Sequence, residues 1–317
     1  MFTARALRFI PKAWNVSDGD DIMGYVFLII SVLSGIIKGY YGKKTSEYIA
    51  EYEDAMLANI IRMTACAVIG FFITAAQGGI YALKIDMQTL MLSALSGLTT
   101  SVFLVSWLMC VKKGAYVMVD VFLMLSVIVP LAGSKIMYGE NVSPLQCAGL
   151  VLLVIAAFIM CSYSNSIKTK MSAPSVFLLI ICGFGCGLTD FLQKIFVKTG
   201  NNISPAAFNF YIYVFAAAFM ILFYTILSSG SAGGKSGLNL KKIYGYMAVM
   251  AVCLFLTSFF QTRAAEYLPS AQLYPMVKGL DLILASIMSV IFFNEKLTPK
   301  CATGIIISIF ALTAVNI

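Results

Sequence analysis

Six ionisable side chains interrupt otherwise apolar runs: Lys38 in "GIIKGYYGK", Asp120 in "YVMVDVFLML", Asp190 and Lys194 in "CGLTDFLQK", and Lys278 and Asp281 in "YPMVKGLDLILAS". A charge at the centre of a bilayer costs at least about 2.5 kcal/mol, so such groups face a cavity or one another. Their chemistry would be to hold a charged part of a solute or to carry a proton. Spacing alone leaves a structural reading open beside it. Asp190 and Lys194 stand i, i+4 and Lys278 and Asp281 stand i, i+3, so each pair could neutralise itself on one helix face. Asp281 falls at the middle of its run, where a pair without a function would be a costly filler. Asp120 could face Lys278 from another helix. Lys38 lies near the end of its run and could extend its stem to the head groups. Arg62 reads as an interfacial anchor, with a cavity role open.

Other chemistry is poorly provided for. The chain has no histidine, which removes imidazole metal sites and histidine acid/base steps together. Its eight cysteines include no CxxC and lie mostly in apolar stretches, as small core residues do. Gly183, Gly185 and Gly187 in "CGFGCG" suggest a hinge or a tight packing surface; a phosphate loop would need a following Gly-Lys-Ser/Thr, which is absent. An intramembrane enzyme would need a nucleophile or a metal site, and the sequence offers no histidine and no clustered carboxylates at ligand spacing. No enzyme activity and no cofactor is expected. Trp107, Asn209, Tyr213, Gln261 and Tyr274 are suited to line a cavity, although membrane helices also carry aromatics as core or interface belt.

The elements that position these residues follow from composition. Apolar residues make up 60% of the 317, charged residues 11%, and mean hydropathy is +0.91. Such a chain cannot hide its apolar surface in water; an all-α integral membrane protein is expected. The net charge of +8 is spread over short loops, which argues for anionic lipid head groups as partners and against nucleic acid. Apolar runs predict ten spans, at 22–41, 55–77, 87–111, 115–133, 145–163, 174–197, 206–228, 243–265, 270–292 and 299–316. Residues 1–22 lack the apolar run and cleavage site of a signal peptide; they read either as an amphipathic extension or as lying upstream of a start at Met23.

One phrase occurs twice. "YGENVSPLQCAG" at 138–149 matches "FNEKLTPKCATG" at 293–304, with Glu140 and Glu295, Ser143 and Thr298, Pro144 and Pro299, and Gly149 and Gly304 in register at an offset of 155 (295 minus 140). "GIIKGYYGK" (35–43) likewise parallels "CGLTDFLQK" (186–194), and Asn59 parallels Asn209. Two units of five spans each, 23–163 and 174–317 joined by a linker at 164–173, are implied. Because five is odd, the second unit must enter from the opposite face, giving inverted repeats of the kind that build alternating-access transporters. Ser143-Pro144 and Thr298-Pro299 should each cap a helix with proline at its first position. Glu140 and Glu295 then read as helix-end determinants, with a role in solute or proton handling as the alternative.

The duplicated "GENVSPLQCAG" and "NEKLTPKCATG", together with "YPMVKGLDLILAS", resemble the drug/metabolite transporter superfamily, in particular ten-span proteins made of two EamA-like halves. The resemblance covers about residues 23–317. It implies a multi-pass protein of the cell membrane, a secondary transporter that often exports metabolites, amino acids or drugs. It also implies a central cavity lined by spans one to four and six to nine, with five and ten peripheral. Lys278 departs from the neutral polar residue common at that place. The family suggests a cytoplasmic N-terminus, whereas lysine-rich loops on the other side lean the opposite way. The expected partners are a small solute, lipids, and protons as coupling ion. Expected solute-contacting residues are Lys278, Asp281, Asp120, Asp190, Asn209, Gln261, Tyr274 and Trp107, with Lys278 meeting an anionic group and Asp281 changing protonation. A nucleotide-sugar exchanger or lipid-linked-sugar flippase of the same fold is the alternative; a basic cavity, or one open sideways to lipid, would favour it.

Overall fold

The computed structural model describes residues 18–113, 116–161, 173–200, 203–230, 240–293 and 299–316. Every regular element among them is a helix: α1 (Asp18–Ser46), α2 (Tyr52–Gly78), a short 3-10 turn (Ile80–Leu83), α3 (Met87–Lys113), α4 (Tyr116–Leu125), α5 (Ile128–Tyr138), α6 (Pro144–Cys161), α7 (Ala173–Thr199), α8 (Pro205–Gly230), α9 (Leu240–Tyr267), α10 (Ser270–Phe293) and α11 (Pro299–Asn316). Seven of these, α1, α2, α3, α7, α8, α9 and α10, are long and apolar enough to cross a membrane; 122–138, 144–156 and 302–314 are shorter apolar stretches. The protein is a multi-pass membrane protein. Large apolar side chains such as Phe72, Phe177 and Phe310 face outward, the reverse of a water-soluble surface and the expected one toward lipid.

The ends of the helices are set by local chemistry. At α6 the Ser143 hydroxyl accepts the Gln146 amide at 3.1 Å while the Gln146 side chain accepts the Ser143 amide at 3.0 Å, with Pro144 first in the helix. Ser143 is thus the cap the sequence predicts, and Gln146 makes it reciprocal. The second copy of that phrase, including Glu295 and Thr298, lies outside the described residues; Pro299 does open α11. Asp54 accepts the amides of Ala50 and Glu51 at the start of α2, and Asp86 accepts that of Thr89 at the start of α3. Gly139 ends α5 in the left-handed conformation, φ 63°, which glycine adopts without a steric penalty.

The predicted fourth span is not one helix. Ser126 and Val127 form a turn between α4 and α5. The break coincides with the packing of α7: a side chain at Gly187 would put its Cβ 2.5 Å from the Ser126 carbonyl oxygen, and one at Gly183 would stand 3.0 Å from that of Phe122. The "CGFGCG" glycines therefore act as a close-packing surface that admits irregular backbone inside the protein, where a membrane tolerates it.

Across the molecule, α1 packs on α9, α3 on α7 and α8, α2 on α8 and α9, α4 on α10, and α6 on α11.

Candidate functional site

A cavity of about 100 Å³ lies where α1, α3, α4, α7, α8, α9 and α10 meet. On the water scale that volume has room for several molecules. Its charged lining is Lys38, Asp120, Asp190, Lys278 and Asp281, and its apolar wall includes Phe103, Leu104, Trp107 and Ile212. Neither α6 nor α11 reaches it, and among the described residues α2 contributes no lining group either.

Asp190 is the most heavily held of the charges. Its Oδ2 meets Lys278 Nζ at 3.0 Å, its Oδ1 accepts the Gln261 side-chain amide at 2.8 Å, and its backbone carbonyl accepts the Tyr274 hydroxyl at 2.7 Å. Lys278 Nζ also points at Cys186 Sγ, 3.2 Å away. The ion pair therefore bridges α7 and α10. A second polar wall runs from Gln193 on α7 to Ser258 on α9 at 2.9 Å, and from Ser258 to Asn209 on α8. Thr189 joins α7 to Thr99 on α3 at 3.1 Å.

Several expectations are corrected. Asp190 does not pair with Lys194, nor Lys278 with Asp281. One turn beyond Asp190, Lys194 is fully buried and turns away from the cavity. Its Nζ donates to the carbonyls of Ala265 and Leu268 at 3.1 and 2.9 Å and stands 3.6 Å from Glu140. The carbonyls at the C-terminal end of α9, where the helix dipole is negative, compete successfully for the ammonium. Lys38 does not rise to the head groups, because α1 continues to Ser46 and leaves it inside the helix, on the cavity wall. Lys278 meets Asp190 rather than Asp120. Arg62 is not an interfacial anchor: it is 1% exposed, bonded to Asn59, and outside the lining. Asn209 and Tyr274 stand behind the lining, where they hold Ser258 and Asp190 in place. Trp107 and Gln261 line the cavity, as do Tyr213 and three side chains the sequence does not single out, Thr189, Gln193 and Ser258. Thr189 has a signal in the sequence, since it aligns with Lys38 in the repeated segment.

Two lining carboxylates each keep a buried oxygen, Asp120 Oδ2 and Asp281 Oδ1, without a hydrogen-bond partner among the described residues. Gly35 stands beside the second: a Cβ built on it would lie 3.5 Å from Asp281 Oδ1 and 4.0 Å from the Thr257 hydroxyl.

At one end of the bundle Glu140 joins three elements. Its Oε2 accepts the Ser270 amide at 3.0 Å, which caps α10, and its Oε1 lies 3.6 and 3.9 Å from Lys194 and Lys198 on α7. The Ser134 and Ser270 hydroxyls meet at 2.8 Å beside it. The helix-end role expected for Glu140 is thus a tie from α5 to both α7 and α10.

An all-helical membrane bundle enclosing a small charged cavity fits a solute transporter. Residues 173–317 match the EamA-like transporter family, which places that part of the chain in the drug/metabolite transporter superfamily. A solved structure titled only "Crystal structure of protein" is similar in fold, with a TM-score of 0.69 over 93% of this chain and 96% of that one, at 10% identity. No curated protein sequence matches the chain.

Proposed function

We propose that the protein is a secondary active transporter of the cell membrane. In this reading it crosses ten times, as two inverted five-helix repeats (23–163 and 174–317), and exports a small metabolite by alternating access coupled to protons. The carrying observation is a charged cavity lined by helices from before and after residue 173, in a bundle whose α5, α7 and α10 are tied together by Glu140.

The repeat has support in which helices pack together. If α1, α2, α3, the α4–α5 unit and α6 are exchanged for α7, α8, α9, α10 and α11, the packed pair α1 with α9 becomes α7 with α3, and α2 with α9 becomes α8 with α3. The pairs α2 with α8, α6 with α11 and α4 with α10 map onto themselves. Asn59 and Asn209 keep the same bonds too: each donates 2.8 Å back to a carbonyl one turn earlier, Ala55 or Pro205, and also reaches the following helix of its own half, at Leu104 or Thr262. In the aligned segments Gly35 and Cys186, and Lys38 and Thr189, line the cavity from the two halves.

Proton coupling would use a lining carboxylate without a mate, with Asp281 the preferred one. The basic cavity that would favour the sugar-nucleotide alternative is not found, since the lining carries three carboxylates against two lysines. The direct test is solute flux into proteoliposomes with an imposed pH gradient, using a panel of small metabolites. Accumulation of a panel member that collapses when the gradient is dissipated is the expected result; gradient-independent leakage of all members would refute the reading.

A further inference from the structure

We infer that the cavity recognises a solute through a positively charged head, an ammonium-type group, seated between Asp120 and Asp281, with an apolar body against Phe103, Leu104, Trp107 and Ile212. This rests on the transport reading for its purpose, though not for its test.

Within the lining, Lys278 and Asp190 cancel each other at 3.0 Å, and Gln261 and Cys186 complete their shells. Neither is left to bind an anion, which reverses the role expected for Lys278 from sequence. What remains is Asp120, Asp281 and Lys38, two carboxylates against one ammonium, an excess of one negative charge. Lys38 has no ion-pair partner within 4.0 Å among the described residues and can offset only one of the two. Arg62, a further buried cation, is outside the lining and bonded to Asn59.

Asp120 is 7% exposed and its Oδ2 has no partner, a state that is costly to maintain unless a bound group satisfies it. Asp281 Oδ1 faces Gly35, where no side chain intervenes: a Cβ there would already touch it at 3.5 Å. The same lining carries Phe103 and Trp107, and aromatic rings attract cations and also pack apolar groups. A neutral head would leave the carboxylates unsatisfied, and an anionic head would add repulsion, so the site discriminates by charge.

The test is binding to the purified full-length protein in nanodiscs by calorimetry, with three probes of similar shape: 2-phenylethylammonium, 2-phenylethanol and 3-phenylpropionate. The ammonium should bind at least tenfold more tightly than the other two. Asp120→Asn and Asp281→Asn should each weaken it at least tenfold, Asp→Glu at either position should recover part of the loss, and Lys38→Met should tighten it. Thermal unfolding of each variant establishes that it is folded. Tightest binding by the carboxylate, no detectable binding of the ammonium, or ammonium affinity unchanged in both asparagine variants would overturn the inference. Charge-selective binding without flux in proteoliposomes would sink the transport reading and leave this one standing; flux of an anion insensitive to both variants would do the reverse.

Discussion

Lys278 and Asp190 show how little a residue's spacing says about its partner. The sequence exposes that both are ionisable groups inside apolar runs, and that alone implies they meet a counter-charge or a cavity. It also exposes i, i+3 and i, i+4 neighbours, and here that signal misleads. Lys278 takes the carboxylate across the helix interface, and Lys194 takes carbonyls at the end of α9. The azimuth of one helix against another decides this, and no periodicity within one helix encodes it. The consequence is measurable. Lys278→Ala or Asp190→Ala leaves a buried charge alone and should destabilise the protein by about 3–5 kcal/mol. Lys278→Met combined with Asp190→Leu should regain most of that stability in thermal unfolding while abolishing flux. A double variant that transports normally would make the pair purely structural.

At the scale of elements, ends were more legible than breaks. Ser143-Pro144 and Gly139 terminate helices through short-range chemistry that needs no tertiary context, so the start of α6 and the end of α5 could be anticipated. The turn at Ser126–Val127 has one local signal, Pro130, which has no amide to give the Ser126 carbonyl four residues earlier and whose ring crowds it. α7 accommodates the break, because Gly187 lets that carbonyl approach to a distance no side chain would permit. Gly187→Val should therefore overpack the contact and cost about 1–3 kcal/mol, or straighten the turn and move Asp120 out of the cavity. Thermal unfolding reads the first outcome and loss of ligand binding the second; an unchanged variant on both counts would show that the glycine is not what accommodates the break. Gly183→Ala, at the looser 3.0 Å approach to Phe122, should behave as a milder version.

At the scale of the whole molecule, the duplicated phrase is what suggests a five-plus-five architecture, because sequence similarity at a fixed offset survives where contacts cannot be seen. The tie at one end of the bundle was not readable. Glu140 is repeated as Glu295 in the sequence, and only folding places Ser270, Lys194 and Lys198 around Glu140. In the ten-crossing reading, the turns at 79–86 and 139–143 share one face, the face at which Glu140 ties α5 to α7 and α10. The turn at 47–51 shares the other, toward which Lys38 lies along α1. Single cysteines in a background without the native ones give the test. An impermeant thiol reagent should label Ile80→Cys and Asn141→Cys from one side of oriented vesicles and Tyr48→Cys from the other. Lys38→Cys should be reached only from the Tyr48 side. Glu140→Gln removes the charge that holds α7 and leaves α10 a weaker cap. It should raise labelling of Lys38→Cys from the Ile80 side several-fold, because an alternating cavity opens at one end as its tie there loosens. Labelling of Ile80→Cys and Tyr48→Cys from the same side would refute the inverted topology. Unchanged access in Glu140→Gln would show that the tie stabilises the fold without gating the cavity.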